Sequence, residues 1–136
     1  MSDAQPEPEL ETETPFEAIG GDPKVRRIVE RFYNLMDSDP AYVDLRLLHA
    51  ADLAPMRASL AGFLTGWLGG PRTWFQANPG RCMMSMHATV PVSAATAAQW
   101  THAMARSLKE AEIDPAMEKL INKAFANMAR NMAGRD

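Results

Sequence analysis

The chain has 136 residues, enough for one domain with a modest hydrophobic core. Its 46% hydrophobic and 23% charged residues are typical of a globular protein, and its net charge is −3. No apolar run approaches the roughly 20 residues that cross a bilayer, and no basic stripe of the kind that binds nucleic acid is present. The single cysteine, Cys82, excludes an internal disulfide and a metal site built from several cysteines.

The N-terminal segment differs in composition from the rest of the chain. Residues 1–14 hold five acidic residues, two prolines and no Lys or Arg. Such a segment cannot bury enough apolar surface to fold, so we expect a disordered acidic tail followed by one domain over residues 15–136. The N-terminus also lacks the basic and then hydrophobic pattern of a secretory signal, which predicts a cytoplasmic location.

Apolar residues at helical spacing predict two helices in the first half of the domain. The first covers about residues 22–37, with Asp22 as its candidate cap. The second covers about residues 54–68, with Asp52 as its candidate cap. Gly69-Gly70-Pro71 ends the second helix, because glycine accepts left-handed backbone angles and proline cannot continue the hydrogen-bond ladder.

The second half of the chain predicts two more long helices. One begins after Ser93 and extends to about Ala111, and the other opens at Asp114-Pro115. Trp100 and Met104, four residues apart, lie on the buried face of the third helix. No segment alternates as a strand does, so the fold class is all-α.

The segment between the second and third helices is less regular. Residues 72–92 contain Pro79-Gly80 and Pro91, together with an apolar cluster that leads into His87. We expect a short helix from Gly80 or Arg81 to Ala88. An irregular segment that is this apolar favours packing against a bound cofactor as well as against other helices.

The candidate metal ligand is a histidine. Of the three histidines, at positions 49, 87 and 102, only His87 is flanked by large apolar side chains, which suit one face of a porphyrin. Haem iron commonly takes one proximal histidine, although a lone histidine is more often a surface or structural residue. His49 lies in the turn between the first two helices, either on the surface or as a donor into a pocket.

Three further residues have two interpretations each. Tyr33 and Trp100 are either aromatic core residues or hydrogen-bond donors into a pocket. Met56 is either adaptable core filler or a sixth ligand to iron, which would make the protein a His/Met-ligated electron carrier.

The order of the motifs resembles that of the group II truncated haemoglobins over about residues 15–130. Pro71 to His87 spans sixteen residues and His87 to Trp100 thirteen, as in that family. The motifs are Glu17-Ala18-Ile19-Gly20-Gly21, Arg31-Phe32-Tyr33, Asp52-Leu53, Phe63-Leu64-Thr65-Gly66-Trp67-Leu68-Gly69-Gly70-Pro71, His87 and Trp100. The most specific of them is the stretch that ends in Gly69-Gly70-Pro71.

The resemblance implies a two-over-two helical sandwich around haem b (iron protoporphyrin IX). It makes His87 the proximal iron ligand and Tyr33 the distal tyrosine, and Trp100 matches the tryptophan that is this group's hallmark. His49 falls where the family has a variable aromatic or histidine, and Met56 falls at the gate position.

The walls and edges of the haem site follow from the same resemblance. Leu60 and Phe63 are expected to wall the distal side, and Met83 to contact the haem. The family often has a basic residue before the proximal histidine, whereas this chain has Met86. Arg72 and Arg81 are therefore candidates for the haem propionates by position only.

The function implied is reversible binding of oxygen and other diatomic ligands, including nitric oxide and carbon monoxide. Two distal donors would slow oxygen release, which favours oxidation of nitric oxide, reduction of peroxide or sensing over bulk oxygen transport. An unidentified reductase would be a partner, and the protein would be a monomer or a homodimer. The alternatives are the electron carrier and a helical interaction module without haem.

Overall fold

The computed structural model describes residues 14–80 and 92–133. Within these ranges the chain forms seven α-helices, a 3-10 turn at Pro40–Tyr42 and no strand. The helices are α1 (Pro15–Ile19), α2 (Asp22–Ser38), α3 (Val43–Leu47), α4 (Ala54–Trp67), α5 (Thr73–Ala77), α6 (Ala94–Glu110) and α7 (Pro115–Ala133). The four long helices confirm those expected from apolar periodicity, and the short helices α1, α3 and α5 were not predicted.

The long helices pack as two stacked pairs. Helix α2 lies against α4, and α6 lies against α7. The pairs meet where α2 contacts α6, and their inward faces form one hydrophobic core. This is the predicted two-over-two arrangement. None of the described helices is both long and apolar enough to cross a membrane.

The caps of two helices differ from those expected. Gly21 is the N-cap of α2, whereas Asp22 lies inside the helix and pairs with Arg26 at 2.7 Å. Leu53 is the N-cap of α4, although the Asp52 carboxylate accepts a hydrogen bond from the Ala54 amide at 3.0 Å. Both aspartates stabilise the first turn, but each lies one position away from the capping position.

The glycine motif after α4 makes room for α1. The Phe16 amide donates to the Leu68 carbonyl at 2.9 Å, and a Cβ on Gly70 would lie 2.8 Å from the Phe16 ring. Gly69 has a φ of +98°, which side chains rarely adopt. Thr14 caps α1 and lies over Gly69. The motif therefore ends α4 and also seats the start of the domain.

Two sequence predictions fall outside the described residues. One is the disordered tail, of which only Thr14 is described, and the other is the short helix over about residues 80–88, of which only Gly80 is described. Both remain predictions.

Candidate functional site

A cavity of about 280 Å³ opens between the two helix pairs. Its walls come from α2, the α3 region, α4, α5, α6 and the end of α7, and most of its lining side chains are apolar. Among the lining residues are six that the sequence singled out: Tyr33, His49, Met56, Leu60, Phe63 and Trp100. The fold thus brings together side chains from positions that are far apart in the chain.

Tyr33 presents a buried phenol to the cavity from α2. The side chain is 5% exposed, and burial raises its pKa well above the ordinary value. The Arg57 guanidinium, 5.6 Å from the ring centroid, acts in the opposite direction but is the smaller effect. Tyr33 therefore stays neutral and keeps its hydroxyl hydrogen as a donor.

His49 lies beside Tyr33, just after α3. Its Nδ1 is 2.9 Å from the Leu45 carbonyl oxygen, and its ring meets the Tyr33 ring edge-on at 6.0 Å between centroids. Because a carbonyl can only accept, Nδ1 carries a hydrogen. This contact orients the ring at the cavity wall.

Trp100 lines the cavity from α6. It is 7% exposed and stacks on Phe125 of α7, with 5.0 Å between ring centroids and 2° between planes. Among the described residues, neither the Trp100 indole nitrogen nor the Tyr33 hydroxyl has a hydrogen-bond partner. Both residues line a mostly apolar cavity, and their donor groups are therefore suited to a ligand held within it.

The remaining predicted residues lie in different environments. Leu60 and Phe63 are buried in the wall, whereas Met56 lines the cavity near the surface and is 38% exposed. Arg72 is not among the lining residues; its guanidinium lies 4.4 Å from the Phe75 ring centroid, and its contact with a haem propionate remains a prediction. His87, Met83 and Arg81 lie outside the described residues, and their roles remain predictions.

Sequence reasoning missed Trp74 as a residue of the cavity. Its indole nitrogen donates to the Ser59 hydroxyl at 3.1 Å, and its ring meets Phe63 edge-on at 5.6 Å. A Cβ on Gly62 would lie 2.8 Å from the Trp74 Cβ, so the glycine allows this approach. The signal in the sequence was Gly62, a glycine within an otherwise helical pattern.

The donor set fits haem better than a metal ion held by side chains alone. No group of three or more His, Cys, Asp or Glu side chains able to hold a metal lies within the described parts of the chain. The cavity instead offers apolar walls and a few polar groups, the usual lining of a site for a flat organic cofactor.

Comparison with known proteins decides the family. Residues 14–134 match the sequence profile of the bacterial-like globins. The chain belongs to this family. A search of curated proteins found no match.

Solved structures agree with that assignment. This bacterial-like globin is 33% identical to the group II 2-on-2 haemoglobin of Agrobacterium tumefaciens, with a TM-score of 0.86 over 90% of this chain and 95% of that one. The truncated haemoglobin of Pseudoalteromonas haloplanktis has 27% identity and a TM-score of 0.84, over 88% and 97% of the two chains. The haemoglobin of Chloroflexus aurantiacus has 31% identity and a TM-score of 0.81 with the same coverage.

The comparisons confirm the resemblance to the group II truncated haemoglobins and the fold class. Membership of the globin family supports haem-based ligand binding.

Proposed function

We propose that this bacterial-like globin holds haem b in the cavity through His87 and reversibly binds oxygen there. When bound, the haem would supply an iron that takes a diatomic ligand. The observation that carries the proposal is a pair of hydrogen-bond donors, Tyr33 and Trp100, that line a mostly apolar cavity in a globin fold. Neither donor has a hydrogen-bond partner among the described residues. We further propose a cytoplasmic protein that receives electrons from an unidentified reductase.

The two donors would act on charge that develops on the ligand. The Tyr33 hydroxyl and the Trp100 indole would donate hydrogen bonds to an oxygen molecule that carries partial negative charge in the cavity. A hydrogen bond to a charged group is worth about 1.5–3 kcal/mol, so each donor would slow oxygen release by about tenfold to hundredfold. Since the two donors share one ligand, their effects need not add.

The apolar walls would protect the ligand from water. Leu60 and Phe63 are each 6% exposed and line the cavity from α4. In a dry cavity the same hydrogen bonds are electrostatically stronger than they are in water.

Tight retention of oxygen favours chemistry over delivery. In the reaction that we propose, one oxygen, one nitric oxide and one electron from the reductase give one nitrate ion. Reduction of peroxide is a second reaction open to the same cavity. Either reaction benefits from oxygen or peroxide being held longer than a transport protein would hold it.

The test is the rate at which the haem-loaded protein releases oxygen. We expect Tyr33→Phe and Trp100→Phe each to raise the release rate by about tenfold or more, because each removes one donor to a charged acceptor. Tyr42→Phe is the matched control, since the Tyr42 hydroxyl lies outside the cavity, 2.7 Å from His102 Nδ1. Unchanged release rates in both cavity variants would contradict the distal roles.

A spectrum tests the rest of the proposal. We expect a Soret band after haemin addition, its loss of intensity in His87→Ala, and prompt binding of carbon monoxide by the reduced protein. Resistance to carbon monoxide that Met56→Leu relieves would instead identify the His/Met electron carrier, and absence of a Soret band would overturn haem binding.

A further inference from the structure

Aromatic rings connect the cavity wall with the outer surface of α4. Trp100 lines the cavity and stacks on Phe125, and Phe125 lies 5.5 Å from Trp67 between ring centroids. Phe63, also on the cavity wall, stacks on Trp67 at 6.5 Å with 13° between the ring planes. Trp67 thus touches two rings that lead inward, and its own side chain is 36% exposed.

Trp67 is also the most exposed of the tryptophan and tyrosine side chains in this chain. Tryptophan and tyrosine are the aromatic residues that give up one electron most readily, and all five of them in the sequence are described. Tyr42, Tyr33 and Trp100 are 1%, 5% and 7% exposed, and Trp74 is half-buried. A molecule that is too large for the cavity therefore meets Trp67 more readily than any of the other four.

We propose that Trp67 is a surface oxidation site, at which phenols or bulky one-electron dyes are oxidised while hydrogen peroxide is reduced in the cavity. The inference rests on the proposed haem function. Trp67 gives one electron inward, past Phe125 and Trp100 or past Phe63, and its indole nitrogen releases a proton to solvent. A donor molecule at the surface then returns one electron and one proton to Trp67.

The reaction balances over two such events. One hydrogen peroxide takes up two electrons and two protons and becomes two waters. Two phenol molecules each lose one electron and one proton at Trp67 and become phenoxyl radicals, which couple in solution. The protein ends as it began, with Trp67 reduced.

The geometry assigns this role to Trp67 and not to Trp74. Both are indoles next to Phe63, but the described ring contacts of Trp74 are with Phe63 and Phe75 only. Trp74 also donates its indole hydrogen to Ser59, whereas part of the Trp67 side chain faces solvent. Because Trp74 also lines the cavity, the control substitution is Tyr42→Phe, which replaces an oxidisable side chain outside the cavity.

The experiment locates the radical directly. The haem-loaded protein is treated with hydrogen peroxide in the presence of the nitrone spin trap DMPO, digested, and mapped by mass spectrometry. We expect the adduct on Trp67 in the parent and in Tyr42→Phe, and its loss in Trp67→Phe. Treatment of the haem-free protein with the same peroxide should give no adduct.

The second measurement is the rate of oxidation of ABTS, a dye that is too bulky to enter the cavity and therefore has to react at the surface. We expect Trp67→Phe to lose most of this activity and to keep the Soret band and the oxygen release rate of the parent. The inference about Trp67 would be overturned by an adduct on Tyr33, Tyr42 or Trp74, or by dye oxidation that is unchanged in Trp67→Phe. Either result would leave the proposed haem function intact. Absence of a Soret band in the parent would overturn the proposed function, and this inference with it.

Discussion

Among single residues, the neighbouring groups determine what a buried tyrosine can do. Tyr33 and Tyr42 are both buried, but only Tyr33 lines the cavity. The Tyr42 hydroxyl is instead engaged with His102 and, at 3.3 Å, with the Arg106 guanidinium. Two residues of the same type and burial thus take different roles because of their neighbours.

The burial of Tyr33 predicts how stability changes at high pH. Since its folded pKa is raised, the folded state keeps the phenol proton at a pH where the unfolded chain, with a tyrosine pKa of about 10, has lost it. Stability is therefore retained below about pH 10 and falls as the pH rises further, by up to about 1.4 kcal/mol per pH unit from this residue. We expect the free energy of unfolding of Tyr33→Phe to decrease less steeply with pH above about pH 10 than that of the parent. Urea unfolding between about pH 9 and pH 11 checks this, and equal slopes in parent and variant would contradict it.

Arg72 makes contacts that its residue type does not specify. Its contact with a haem propionate stays a prediction, and the structure places its guanidinium over Phe75 and 3.4 Å from the Gly66 carbonyl. A cation–π contact depends on where α5 lies, and no local pattern in the sequence specifies that.

At the scale of elements, α4 carries glycines that set the position of α5. Gly62 and Gly66 lie one helical turn apart, and Trp74 and Phe75 pack against them. In an exposed helix such glycines would be unfavourable by about 1 kcal/mol each relative to alanine. Here they permit the close contact that brings Trp74 to the cavity.

Replacing a helical glycine by alanine usually stabilises a protein. We expect Gly66→Ala instead to destabilise this one. The new Cβ would lie 2.5 Å from Phe75 Cδ2, and overpacking of this kind costs about 1–3 kcal/mol, more than the gain of about 1 kcal/mol in helix propensity. The measurement is the free energy of unfolding in urea. Ala58→Gly, at an exposed position of the same helix, is the control and should cost about 1 kcal/mol. A Gly66→Ala protein more stable than the parent would show that Phe75 moves aside without cost.

At the scale of the whole molecule, the cavity lies between the two helix pairs, so its occupant contacts both. Tyr33 comes from α2, Phe63 from α4, and Trp100 from α6. A cofactor that binds only the folded protein stabilises the entire arrangement by mass action.

Haem should therefore raise the melting temperature in a concentration-dependent way. At a free haem concentration about one hundred times Kd, the expected gain is about 2.7 kcal/mol, which corresponds to several degrees. Thermal unfolding followed by circular dichroism at increasing haemin measures it. We expect His87→Ala to require more haemin for the same increase, and a melting temperature independent of haemin would contradict a haem site between the helix pairs.

The sequence predicts the four long helices, because their apolar periodicity is a local property that any packing must satisfy. It also identified six of the residues that line the cavity, since the motifs around Tyr33, Phe63 and Trp100 carry the family resemblance. The short helices α3 and α5 depend on tertiary packing, since each spans five residues and is too short for a periodic signal. These helices position His49 and Trp74, and the packing of α7 on α6 places Phe125 between Trp100 and Trp67. Contacts between distant segments depend on how helices approach one another, which periodicity within one helix does not encode.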